Sequence, residues 1–342
     1  MKRIYFLFCL LLLLFMACKQ QAESVKSYDA KAEVVDVQDR LHDITISDVD
    51  ISDFGSPFLL NQYLIISDYK SFDKLIHIFD KNTFRYLTSV GERGQGPSEI
   101  TNMGAIVPDH ERNTFYVIDH GKQAFLSFPM DSVLANPDYK PEKKVDMNPD
   151  EFPFKMQYVS DTLSYALFMR VLNPGDYIPV VAKWNMQTGK ADFMPYAGHP
   201  DIEGKRVSFA VSTKYNLYAE AYWYHDLMTI CSLDGELKYT LYGKKYDNTK
   251  SNQNAYFEDV FFCKDKIVVT YWGDTRLYQR NGGEHAHYPN KLLIFDLQGN
   301  YMKTLQIGFP IINICYDAEK NRFIMNLDDE IQFGYLDLDG LL

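Results

Sequence analysis

The stretch LIHIFDKNTFRYLTSVG, Leu75 to Gly91, returns near the other end of the chain as LLIFDLQGNYMKTLQIG, Leu292 to Gly308. Ile-Phe-Asp is kept and the turn changes from Lys-Asn-Thr to Leu-Gln-Gly. Shorter echoes are ICSLDGELKYTLYG, Ile230 to Gly243, and YLDLDGLL, Tyr335 to Leu342. Each is a pair of strand-like runs about a polar turn. A hairpin copied through 342 residues means one supersecondary unit repeated many times, which points to a propeller or solenoid rather than a single sheet. The 25 Tyr and 23 Phe agree, because flat rings suit a pleated, half-buried surface.

Taken in order, hairpin turns fall near Asn82, Asp131, Thr188, Asp234, Gln298 and Asp339. Their spacing is irregular but close to the ~50-residue period of some propeller repeats. The last unit stops just after Asp339-Gly340, so it lacks an outer strand. Val34 to Ile51 holds a strand segment outside the series, clearest at Ile44-Thr45-Ile46. Pairing that segment with the last unit would close the ring and leave no exposed sheet edge. The expectation is an all-β, six-bladed β-propeller over residues 32–342, closed by an N-terminal strand on the last blade.

The first residues have the form of an export signal: Lys2 and Arg3, an apolar run from Ile4 to Phe15, then Ala17 before Cys18. That run is too short to cross a bilayer, which takes about 20 apolar residues. Leu14-Phe15-Met16-Ala17-Cys18 resembles the lipobox of bacterial lipoproteins, which implies a signal peptide over residues 1–17 and a lipid-bearing Cys18. Residues 18–31 are polar and suit a flexible tether. Loss of Lys2 and Arg3 with the leader takes the net charge from −11 to −13. So acidic a chain argues against nucleic acid or anionic headgroups as partners. Cys231, Cys263 and Cys315 lie inside apolar runs without CxxC spacing, so they read as buried thiols rather than a disulfide framework or metal ligands.

Between the first and second units stands Gly91-Glu92-Arg93-Gly94-Gln95-Gly96-Pro97-Ser98-Glu99. It resembles the G-x-R-G-x-G-P-x-E loop of the TolB-like or NHL-like six-bladed propeller lipoproteins of Bacteroidota, with Ser98 in a position usually held by Gly. The resemblance implies an envelope lipoprotein, with the outer membrane as its address. Lys19-Gln20-Gln21-Ala22-Glu23 lacks the acidic run associated with surface display in those bacteria. Physically, glycines at 91, 94 and 96 with Pro97 make a tight turn, read either as an anion nest or as a structural turn capped by Arg93 and Glu99.

In a propeller, the loop between a blade's second and third strands opens on the same face as the inter-blade connections. The most decorated loops then share one face: Gly91 to Glu99, Arg170 to Tyr177, Tyr222 to Asp226, and the longest, Gly273 to Asn290. Ligand-face candidates are Arg93, Gln95, Arg170, Asp176, Trp223, His225, Arg276 and Arg280. The arginines suit a carboxylate, and Tyr222-Trp223-Tyr224-His225 offers an aromatic wall to a sugar or peptide. Glu284, His285 and His287 form a candidate set for a divalent metal, set against a plain solvated loop. No G-x-S-x-G or H-E-x-x-H occurs, and no cofactor is required by any motif. The sequence therefore favours a lipid-anchored, non-catalytic binding or scaffold module for a glycan, peptide or envelope protein. The alternative is a metal-assisted hydrolase or lyase on a sugar or lactone.

Overall fold

The computed structural model describes residues 24–173, 175–249, 254–280 and 283–342, without the side chains of 274, 278–280 and 283–286. Before the repeats the chain makes three short strands, β1 (Ser24–Tyr28), β2 (Val34–Asp36) and β3 (Leu41–Asp43). Blade 1 comprises β4 (Ser56–Leu60), β5 (Tyr63–Ser67), β6 (Lys74–Asp80) and β7 (Tyr86–Glu92). Blade 2 follows with β8 (Met103–Asp109), β9 (Thr114–Asp119), β10 (Ala124–Pro129) and β11 (Glu142–Asp146). In blade 3 the strands are β12 (Glu151–Ser160), β13 (Leu163–Asn173), β14 (Asp176–Trp184) and β15 (Ala191–Phe193). Blade 4 has β16 (Val207–Ser212), β17 (Leu217–Tyr222), β18 (Leu227–Ser232) and β19 (Leu237–Gly243). Blade 5 has β20 (Asn254–Cys263) and β21 (Lys266–Thr275), a separate hairpin β22 (Leu277–Arg280) and β23 (Gly283–Ala286), then β24 (Lys291–Asp296) and β25 (Tyr301–Gln306). Blade 6 is β26 (Ile311–Asp317), β27 (Arg322–Leu327) and β28 (Phe333–Asp337), with β3 as its outer strand.

Strands β5 and β24 are nearly continuous apolar runs because each blade is covered on both faces, as strands in doubly covered sheets are. In β5, Tyr63 and Ile65 pack toward blade 2 while Leu64 and Ile66 pack toward blade 6. In β24, Leu292 and Ile294 face blade 6 and Leu293 and Phe295 face blade 4. Among the described residues the buried side chains fall into six clusters, one at each seam between neighbouring blades. The recurrent Ile-Phe-Asp now has a physical account. Ile and Phe serve opposite seams, and the Asp caps the turn beyond: Asp80 accepts from the N–H groups of Asn82 (3.0 Å) and Thr83 (2.8 Å), and Asp296 from those of Gln298 (2.9 Å) and Asn300 (2.8 Å).

Closure occurs through β3, antiparallel to β28, with Leu41 opposite Leu336 and Asp43 opposite Gly334; the Ile44 N–H then donates to the Phe333 carbonyl at 2.8 Å. The tether expected over residues 18–31 is corrected from Ser24 onward. β1 lies parallel along β19 as a fifth strand of blade 4, and β2 likewise along β25 of blade 5. The polar alternation of SVKSY conceals this, because an outermost strand buries little: only Tyr28 of the five is buried. The Tyr28 hydroxyl donates to Asp226 at 2.6 Å, anchoring the strand.

Residues near Asp131, expected as a hairpin turn, instead form the short helix α1 (Met130–Ala135), which buries Met130 and Val133 beneath the blade 1–2 seam. Among the described residues no helix is long and apolar enough to cross a membrane.

Candidate functional site

The two faces of the ring differ in chemistry. On the lower face, where the first and second strands of each blade turn, charges are paired across seams. Lys81 of blade 1 meets Asp317 (3.3 Å) and Glu319 (2.7 Å) of blade 6, and Arg322 meets Asp317 at 3.2 Å and donates to the Lys81 carbonyl at 2.7 Å. Lys81, Asp317 and Arg322 are all buried. At the next seam but one, Arg112 of blade 2 bonds Asp109 (3.0 Å) and Asp161 of blade 3 (3.1 Å), and Lys144 also reaches Asp161 at 3.1 Å. At these two seams the charges satisfy one another.

The upper face carries the inter-blade connections and most of the exposed large apolar side chains: Phe54, Tyr69 and Phe72 by blade 1, and Phe154, Val171 and Leu172 on blade 3. Over blade 3 it opens into a cleft of about 310 Å3. Phe152 and Phe154 come from the start of β12, Met169 and Val171 from the end of β13, and Tyr177 and Pro179 from the start of β14. His120 and Gln123 enter from blade 2, and Arg206, Val207 and Trp223 from blade 4. The imidazole of His120 packs at 5.6 Å from the Phe152 ring and 6.1 Å from that of Phe154, and burial pushes its pKa below the ordinary histidine value. The Arg206 guanidinium lies 4.6 Å over the Tyr177 ring. Trp223 is fixed through its indole N–H, which donates to Ser208 Oγ at 2.8 Å, and that hydroxyl donates in turn to the Glu258 carbonyl. Glu258, on the innermost strand of blade 5, is pushed up to about 8 by burial and by Asp259, eased by Arg276 and Lys155.

Of the residues singled out from sequence, Trp223 lines this cleft. Arg170 lies beside it, stacked at 4.6 Å on Phe193 and 3.6 Å from Glu151, and the exposed Asp176 opposes Asn173 at the β13–β14 turn. His225 is buried, bonded through Nδ1 to the Asp247 carbonyl at 2.9 Å. Arg93 donates to the Tyr69 carbonyl, while Gln95 is exposed on the loop. That loop supplies its own anion: Glu99 accepts the Gly96 N–H at 2.7 Å, and a Cβ at position 94 would run into the Glu99 carboxylate. It is a self-capped structural turn. Arg276 lies near enough to Glu258 to ease its ionisation. His287 is exposed, its carbonyl accepting from the Trp272 indole at 2.9 Å. The side chains of Arg280, Glu284 and His285 lie outside the described residues. Among the described residues no group of three or more His, Cys, Asp or Glu side chains could hold a metal ion.

The cleft residues missed from sequence, Phe152, Phe154, Tyr177 and Arg206 above all, come from three connections. Their one local signal is Glu-Phe-Pro-Phe at 151–154, where alternate aromatics begin an innermost strand instead of ending in polar residues.

A family model described as 6-bladed beta-propeller, DUF5128, matches residues 44–260. The chain belongs to this family. No curated protein matches it. Among solved structures, a member of the duf4221 family from Bacteroides vulgatus superposes with a TM-score of 0.58 at 11% identity, covering 88% of this chain and 98% of that one. A luciferin-regenerating enzyme aligns with a TM-score of 0.53 at 10% identity over 86% and 94% of the two chains. The structure of U3-55K gives 0.50 at 9% identity over 88% and 99%. At such identities the likeness is one of fold, and the fold serves an enzyme and other proteins alike, so function has to be argued from the site.

Proposed function

We propose that this member of the family is a lipid-anchored envelope propeller of the TolB-like or NHL-like kind that binds a partner, without transforming it, through the cleft over blade 3. The address is supported by the leader over residues 1–17 that precedes Cys18, the outer membrane being the expected destination. The binding role rests on one observation: a preformed cleft of about 310 Å3 whose walls are Phe152, Phe154, Met169, Tyr177 and Trp223. Concave, mostly apolar sites of this size with a few polar groups are the usual form of a ligand site. The walls favour an apolar side chain of a peptide or envelope protein over a glycan, because sugar hydroxyls set against apolar walls lose hydrogen bonds that water provides.

The test is a screen of peptide and glycan arrays with the full-length protein and its Trp223→Ala variant. Apolar peptide hits weakened about tenfold or more by the substitution are expected, the loss typical of an interface anchor. Hits that are all glycans, or that are indifferent to Trp223→Ala, would overturn the assignment of the site. A reaction at Glu284, His285 and His287 is a separate proposition, tested by metal content of the purified protein.

A further inference from the structure

We propose that the cleft selects a carboxylate carried on an aromatic or long apolar group, with the carboxylate on Arg206 and the apolar group against Phe154, Tyr177 and Trp223. This rests on the reading of the cleft as the binding site and names the class of ligand it takes.

Charge is the first argument. The chain carries 46 acidic against 35 basic residues, yet none of the residues lining the cleft is acidic. The one fixed charge there is Arg206. With no carboxylate on the lining, Arg206 leaves a local positive potential bounded by apolar walls, which strengthens its pull on an anion.

The state of Arg206 is the second. Four other arginines are occupied: Arg112 and Arg322 by buried aspartates, Arg93 and Arg40 by backbone carbonyls. Arg206 is exposed, and among the described residues no carboxylate or carbonyl accepts from its guanidinium. Its position is nonetheless held. Its carbonyl accepts the Trp223 N–H at 3.0 Å, and its guanidinium carbon lies over the Tyr177 ring, 4.6 Å from the centroid. A stacked guanidinium keeps its edge N–H groups free for a carboxylate, which it grips bidentately, and little side-chain entropy remains to be lost. Burial pushes the His120 pKa down, which disfavours a second cation beside Arg206.

The third argument is fit. A space of about 310 Å3 takes an aromatic ring together with a short alkyl chain, and Arg206 is the cationic group on its lining that an anionic end would meet. Two sources share this chemistry, a free aryl- or alkyl-carboxylic acid and the C-terminus of a peptide ending in a large apolar residue.

Full-length protein titrated calorimetrically with 4-phenylbutyrate and with 4-phenyl-1-butanol separates the charge from the skeleton. The acid is expected to bind about tenfold tighter than the alcohol, the worth of one charge-assisted hydrogen-bonded pair. Arg206→Gln should bring the acid down to the alcohol's affinity, while Arg170→Gln, outside the cleft, leaves the preference intact. A peptide ending in Phe, compared as free acid and as amide, should show the same preference if the source is a chain terminus; a preference confined to phenylbutyrate assigns the free acid. Equal binding of acid and alcohol, or a preference surviving Arg206→Gln, overturns the carboxylate assignment and leaves the apolar cleft standing. If neither probe binds at millimolar concentration while Arg206→Gln and the parent melt alike, both readings fail.

Discussion

The two faces of this ring use polar residues to opposite ends. Below, Lys81, Asp317 and Arg322 are buried and consume one another's charge across the seam where the ring closes. Above, Arg206 and the rings around it are left with room at their side. A buried pair broken by removal of one partner is costly, whereas an exposed apolar residue contributes little to folding. The lower face therefore reports on stability and the upper on binding.

The largest effect should follow from Asp317→Ala, which strips the shared carboxylate from Lys81 and Arg322. A loss of about 3–5 kcal/mol is expected in urea unfolding, with cleft binding unchanged in the surviving folded protein. A loss below about 1 kcal/mol would show that water already screens this seam, and the contrast between the faces would collapse.

An intermediate effect is expected at Glu258, where burial and not pairing governs ionisation. Its carboxyl titrates near 4.5 unfolded and is pushed up to about 8 in the fold. The stability attached to its protonated form is thus fully present below about pH 4.5 and is lost as pH rises to about 8, on the order of 2–4 kcal/mol. Glu258→Gln should flatten that part of the profile between pH 5 and 8.5. Parallel profiles for the two proteins would mean that the carboxyl is solvated.

The smallest stability change belongs to Phe154→Ser, within about 0.5 kcal/mol of the parent, even though partner binding through the cleft should fall at least tenfold. A large loss of stability here would make Phe154 a packing residue and return the cleft to the scaffold.

Much of the scaffold could be read from the chain. The Ile-Phe-Asp hairpins, the turn glycines and the truncated last unit specify blades and closure because hydrophobic period and turn chemistry are local. One marker went unread: Asn61, Asn113, Asn216 and Asn321, with Lys264, all take positive φ at the turn between a blade's first two strands. Asn tolerates that conformation better than most residues, so its recurrence before the second strand of four blades marks the repeat as well as the hairpins do. The strand at Ser24–Tyr28 was hidden for the opposite reason. Its pairing partner, β19, is more than 200 positions away, and an edge strand needs hydrogen bonds rather than an apolar pattern.

The cleft was less legible still. Loop length drew notice to Gly273–Asn290, whereas His120, Phe154, Tyr177, Arg206 and Trp223 lie on separate turns that only ring geometry brings together. Trp223 could be singled out because its neighbours are aromatic. Arg206 could not, since nothing local distinguishes a free guanidinium from a paired one.

The belt formed by β1, β2 and β3 sets an order in time. Arg40 reaches the Asp339 carbonyl across 299 positions, so β3, made early in vectorial synthesis, must wait for nearly the last residues. At about 5–20 residues per second that delay is on the order of 15–60 s. Until then blade 6 lacks its outer strand and the blade 6–1 seam is open. A chaperone acting on this protein would find its substrate there, at an unfinished ring whose missing piece has been made already and hangs at the wrong end of the chain.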